Sequence, residues 1–287
     1  MKLGVAMAFS QHTSVGFIKD AVQMVEAKGI DSIWVPEHVL FFPEYASTYP
    51  YSDSGRIPGD PEGLLDPFTA LTFIAGHTST VRLGTGICLV PQRNPVYTAK
   101  MVADVDYLSG GRVDFGVGIG WLKEEFDALG MPFAQRARLC SEYIDVMKAL
   151  WSEGTTEFHG ATVDISPAHF NPKPVQTPHP PIFFGGESDA ALRRVALQGE
   201  GWYGYDMSPE MLAGRLQALD AELDTAGRSR DDIRIFVGPN RHPANAETVA
   251  AYGALGVEQV IVPLFARDIA KLEERADRLL EQLGRAA

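Results

Sequence analysis

Short apolar runs alternate along this chain with longer stretches whose apolar residues recur every three or four positions. Residues 3–9 form the first run, of strand length. Val15, Ile18, Val22 and Val25 then share one helical face, which Gly29 stops. Residues 32–35 predict a second strand, and a Gly, Pro and Tyr-rich stretch over 42–65 separates it from its helix. That helix opens at Asp66-Pro67, an N-cap followed by proline at the first helical position. A third strand is predicted over 81–87, a helix from Asn94-Pro95 to Gly110-Gly111, and a fourth strand over 112–118. Leu139, Tyr143, Val146, Met147 and Leu150 form the stripe of the next helix, and the β-like stretches around Phe158-His159-Gly160 predict a hairpin. Strands over 181–184, 201–205, 232–237 and 257–262 follow. Their helices begin at Ser188, at Pro209 and at Ala246, and the last carries Ile269, Leu272, Ala276, Leu279 and Leu283 on one face.

Eight strand–helix units with nearly continuous apolar strands predict parallel strands buried on both faces. Closing them on themselves removes both sheet edges. The expectation is therefore an α/β fold, a (β/α)8 TIM barrel forming one domain over 1–287. It carries a long loop after the second strand and a β-hairpin insertion after the fourth helix. A doubly wound open sheet is the alternative. In such barrels the chemistry sits in the loops that leave the C-terminal ends of the strands.

Composition narrows the partners. The 287 residues are 45% hydrophobic and 22% charged, which suits a globular protein with a sizeable core. Twenty-five basic against 37 acidic residues give a formal net charge of −12, which disfavours nucleic acid and anionic lipid over most of the surface. No apolar stretch reaches the length of a membrane span, and the apolar start reads as a strand rather than a signal peptide. Cys88 and Cys140 stand alone in apolar segments, so they are expected as reduced, buried thiols of a cytoplasmic protein.

The strand ends hold the candidate chemistry. Glu37-His38 follows the second strand, where a carboxylate and an imidazole suit acid–base work or a loop salt bridge. Metal binding is not expected of this pair, because adjacent strand residues face opposite ways and no matching cluster accompanies them. Gly84 and Gly86 on the third strand suggest a bulge, close approach of a flat ligand, or a helix packed on a bare strand. Gly116-Val117-Gly118-Ile119-Gly120-Trp121 repeats the theme without the spacing of a dinucleotide fingerprint, and Trp121 is placed to cover the mouth. Gly185-Gly186-Glu187-Ser188 runs directly into a helix, an arrangement that suits phosphate but also an ordinary Ser N-cap. The long loop carries Tyr45, Tyr49 and Tyr51, and its length points to a lid whose aromatics stack on a ligand or on a partner subunit.

Taken in order, these segments resemble the bacterial luciferase-like oxidoreductases, (β/α)8 barrels that use reduced FMN or the deazaflavin coenzyme F420. The similarity spans nearly the whole chain and includes residues 34–38, 49–51, 82–86, 91–95, 108–112, 116–121, 125–130 and 185–188. It is closest to the F420-dependent branch. The resemblance implies a cis peptide at Gly86-Ile87 supporting the central ring of the deazaflavin, and Glu37-His38 beside that ring. It also implies a phosphate-binding loop at 185–188. Gly118, Ile119 and Gly120 would border the cofactor, with Trp121, Tyr49 and Tyr51 facing the substrate. Relatives that oxidise sugar phosphates carry a catalytic glutamate where this chain has Trp121, so that activity is not expected. The implied activity is hydride transfer between F420 and a small or medium organic molecule. The alternatives are an FMN-dependent monooxygenase and a non-catalytic flavin-binding barrel. Arg56, Arg93 and Lys173 are available to the acidic tail of F420, and a homodimer is expected.

Overall fold

The computed structural model describes residues 1–59 and 61–284. Its elements follow the predicted alternation. They begin β1 (Lys2–Ala6), α1 (Val15–Ala27), β2 (Ser32–Val35), α2 (Pro67–Ala75), β3 (Arg82–Thr85), β4 (Cys88–Leu89), α3 (Pro95–Ser109) and β5 (Val113–Gly118). Next come α4 (Lys123–Ala128), α5 (Arg136–Trp151) and the antiparallel hairpin of β6 (Thr155–His159) and β7 (Asp164–His169). The chain then runs through β8 (Ile182–Gly185), α6 (Asp189–Gln198), β9 (Gly201–Tyr205), α7 (Pro209–Thr225), β10 (Arg234–Gly238), α8 (Ala246–Ala254), β11 (Gln259–Pro263) and α9 (Ile269–Gln282).

Strands pair in parallel in the order β3-β2-β1-β11-β10-β9-β8-β5, and pairing of β3 with β5 closes the barrel. The open-sheet alternative is thereby excluded. Inside the barrel, Trp34, Phe183, Tyr203, Phe236 and Ile261 form one cluster. Phe183 and Phe236 stack at 4.2 Å, and Trp34 meets both edge-on. Outside it, α1 packs Ile18, Ala21, Val22 and Val25 against the strands, while Val15, at the first helical position after the Ser14 cap, is exposed. Both cysteines are free and buried, and burial pushes the Cys140 thiol up to about 12. No helix is long and apolar enough to cross a membrane, among the described residues.

Two departures from the sequence expectation bear on the site. The apolar run at 81–87 is not one strand: β3 ends at Thr85, the Gly86–Ile87 peptide is cis, and β4 resumes beside β5 in the register Cys88↔Val117. The short helix α4, which the apolar pattern does not signal, stands beside the mouth of the barrel.

Candidate active site

The site is built from the C-terminal ends of β2, β3, β5, β8 and β9. Its floor is Ile87, which packs on the interior cluster together with Ala6 and Tyr205. Gly118 and Gly185 leave room for this side chain. A methyl at Gly118 would come within 2.1 Å of Ile87 Cδ1, and one at Gly185 within 2.8 Å. These two glycines therefore shape the mouth through Ile87. Ile119 and Gly120 continue the rim of β5, where Gly120 adopts a φ of +77° over the ring of Phe126.

His38 leaves the end of β2. Its Nδ1 lies 2.9 Å from Glu125 Oε2, and Glu125 is fully buried. The same carboxylate accepts from the amides of Val39 (2.6 Å) and Leu40 (3.0 Å) and from Gln92 Nε2 (2.9 Å). Burial pushes the Glu125 carboxyl up, but the His38 hydrogen bond and charge, with those other donors, outweigh it and hold it below its ordinary value. An ionised carboxylate only accepts, so Nδ1 carries the proton and Nε2 is the ring nitrogen left for a ligand. Gln92 Oε1, buried beside this pair, has no donor among the described residues and offers an acceptor.

Glu37 is placed differently from its neighbour. It is buried, accepting from the amide of Leu89 at 2.6 Å and from Arg93 Nε at 2.5 Å. Arg93 also pairs with Asp66, the N-cap of α2. The structure thus separates Glu37 from His38: one carboxylate is committed to an ion pair behind β4, while the ring turns to Glu125. No group of three or more His, Cys, Asp or Glu side chains suited to a metal occurs among the described residues.

Above the floor stands an aromatic arc from the long loop. Trp121 is its hub, with ring centroids 5.9 Å from His38, 5.6 Å from Tyr45 and 5.2 Å from Tyr49. Tyr51 meets Tyr49 at 5.7 Å and Tyr205 at 4.9 Å, and its hydroxyl donates to Glu187 Oε2 at 2.9 Å. Glu187 also accepts from the Tyr205 amide at 2.9 Å, and its burial keeps the carboxyl above its ordinary value despite those bonds. The loop is tied at further points. Glu124 of α4 accepts from the Ala46 amide (2.6 Å) and the Ser47 hydroxyl (2.7 Å), and Arg241 bridges Asp53 and Asp206.

The turn at 185–188 opens α6 as predicted. Gly186 takes a φ of +98°, a conformation side chains rarely adopt, and the Ser188 oxygen accepts from the Ala191 amide at 3.2 Å as N-cap. Glu187 brings an acceptor rather than a donor to this turn. The sequence pattern did not signal two further arginines, Arg136 at the start of α5 and Arg194 on α6. Arg136 reaches Gly120 O (3.2 Å) and Phe133 O (3.0 Å), and neither arginine has a carboxylate partner among the described residues. Burial holds both guanidinium groups below their ordinary value, and for Arg194 the charge of Arg136 adds to this. Two partly buried cations, one close enough to depress the other, favour an anion.

A closed α/β barrel with its polar groups gathered at the strand ends belongs to the architecture of barrel enzymes. The chain is a member of the luciferase-like monooxygenase family, whose profile matches residues 1–284. An uncharacterized protein of Mycobacterium tuberculosis is 29% identical over 268 residues, covering 92% of this chain and 93% of that one. The FMNH2-dependent dimethylsulfone monooxygenase of Pseudomonas putida is 32% identical over 186 residues, covering 64% of this chain and 47% of that one. Among solved structures, the monooxygenase RslO1 from Streptomyces bottropensis superposes with a TM-score of 0.78 at 20% identity, covering 99% of this chain and 98% of that one. An F420-dependent secondary alcohol dehydrogenase, solved with an F420–acetone adduct, gives 0.75 at 15% identity, covering 98% of each chain.

Proposed function

We propose that this protein is an F420-dependent oxidoreductase acting on a small or medium organic molecule. The observations that carry the reading are the Gly186 turn and Ser188 hydroxyl that open α6, together with Arg194 on that helix and Arg136 close enough to act on it, neither with a carboxylate partner among the described residues. This set fits the phosphate that F420 and FMN both carry on the ribityl chain. When bound, the deazaflavin supplies hydride transfer, the step the protein itself cannot perform.

The chain's own residues divide the remaining work. Ile87 supports one face of the ring, and Gly118 and Gly185 give that side chain its room. His38 presents Nε2 to the mouth and moves a proton there, held in orientation by Glu125. Glu37 anchors residues 88–93 through Leu89 and Arg93, acting by position rather than by proton transfer. Trp121, Tyr49 and Tyr51 exclude water and bound the substrate space. The preference for F420 follows the sequence resemblance to that branch. Of the three cations considered for its tail, Arg93 is spent on Glu37 and Asp66, and Lys173 donates to Leu150 O at 2.8 Å. The second reading, an FMN-dependent monooxygenase, is favoured by the name of the Pseudomonas putida relative.

Phosphate dependence tests the donor set directly. FMN is expected to bind at least tenfold more tightly than riboflavin, and F420 more tightly than its phosphate-free riboside. Arg194→Met should erase most of this difference and leave riboflavin affinity unchanged, as one charge-assisted contact supplies a factor of about ten. Equal binding of the phosphorylated and phosphate-free forms to the wild-type protein would remove the phosphate site from 185–194.

A further inference from the structure

A cavity of about 550 Å³ lies between the long loop and the end of β5, walled in part by the arc residues Tyr45 and Trp121. Its walls include Phe41, Phe42, Tyr45 and Trp121, with Arg56 and Glu62 as the charged lining residues. Two of these walls touch the proton-moving group: the His38 ring lies 5.0 Å from Phe41 and 5.9 Å from Trp121. The cavity therefore neighbours His38 through the rings of Phe41 and Trp121.

The two charged groups differ in what they have left to give. Glu62 is already engaged, 3.2 Å from Gln11 Nε2 and 3.3 Å from His12 Nε2. Arg56 is held but not neutralised. Its guanidinium lies 4.3 Å above the Tyr45 ring and donates to Tyr45 O at 3.2 Å, while the Tyr45 hydroxyl accepts from the Ile57 amide at 2.8 Å. No carboxylate pairs with Arg56 among the described residues. A guanidinium carries five N–H donors in a fixed fork, so most of this one remains available in a pre-set orientation. In a chain of net charge −12, a cation with no carboxylate partner among the described residues, on an aromatic-walled cavity, suits an anion.

We infer that this cavity is the substrate pocket of the proposed oxidoreductase and that it takes a flat, apolar molecule bearing one carboxylate, which Arg56 binds while the apolar body lies against Trp121 and Phe41 beside His38. The inference rests on the proposed function for the word substrate, but the binding it describes does not need the cofactor. The volume suits a molecule of two or three rings, within the usual range of about 300–1,000 Å³ for ligand sites.

The test uses the cofactor-free chain and two probes of one shape, 1-naphthoate and 1-naphthalenemethanol, followed by calorimetry. Naphthoate should bind at least tenfold more tightly than the alcohol. Arg56→Met should cost naphthoate that factor and leave the alcohol unchanged, and Trp121→Ala should weaken both. Arg56 is exposed, and retention of the wild-type circular dichroism spectrum will show that its variant is folded. Equal binding of the two probes, or an acid preference that survives Arg56→Met, overturns the inference. The tail of F420 is the other source of carboxylate. If Arg56→Met weakens F420 relative to its tail-free riboside and leaves naphthoate unaffected, Arg56 serves the tail and the inference falls. An acid preference in a chain that binds neither F420 nor FMN would uphold the pocket and defeat the oxidoreductase reading.

Discussion

The proton on His38 Nδ1 is committed to Glu125, so any exchange with a ligand passes through Nε2. His38→Ala is expected to lower turnover well over tenfold, within the usual general acid–base contribution of about 10²–10⁴, with a modest change in cofactor affinity. Glu125→Gln keeps the size of the side chain but loses the ionised acceptor, and it should lower kcat at least tenfold with KM near the wild-type value. Steady-state kinetics on both variants checks this, and unchanged kcat in either removes that residue from the proton path. The wild-type arrangement is fully present above the ordinary carboxylate range and is lost as pH falls through the lowered value of Glu125. His38 was legible in the sequence because it follows an apolar run at a strand end. Glu125 was visible only as one residue of the family resemblance: 87 residues separate it from His38, and only the fold joins the two. Arg136 and Arg194 escaped as well, since only the fold shows that no carboxylate meets them among the described residues.

The long loop behaves as an element in its own right, though its described residues form no strand or helix between β2 and α2. Its tethers include Glu124 on α4, Glu187 after β8, and Arg241 after β10. Burial pushes the Glu124 carboxyl up, but the hydrogen bonds from the Ser47 hydroxyl and the Ala46 and Ser47 amides prevail and bring it down to about 2. Because the folded value is depressed, this tether is complete above the ordinary carboxylate value of 4.5 and is lost as pH falls toward about 2. Glu124→Gln should therefore speed amide exchange at residues 44–48 at neutral pH, with the difference from wild type vanishing near pH 2. Equal exchange at neutral pH would show that Glu124 does not hold the loop. The length and aromatic content of this segment announced a lid. Its attachment points could not be read from sequence, because each lies on a different βα loop and only barrel closure brings them together.

At the scale of the molecule, the barrel was legible because parallel strands buried on both faces leave continuous apolar runs, repeated here at regular intervals. The apolar pattern reads residues 81–87 as one strand, although Gly84 and Gly86 suggest a bulge within it. Only the resemblance pointed to a cis peptide there. The same closure that joins β3 to β5 places Ile87, His38, Trp121 and the α6 turn around one mouth, and that arrangement is what the proposed chemistry requires. Both cofactors carry the phosphate that the proposed donor set would hold, so the choice between them is the central claim. The most direct test is an equilibrium titration of the purified chain with F420 and with FMN under the same conditions. The account predicts micromolar or tighter binding of F420 and at least tenfold weaker binding of FMN, a difference of about 1.4 kcal/mol. FMN bound as tightly as F420, with oxygen consumed once the flavin is reduced, would contradict it and assign the chain to the monooxygenases.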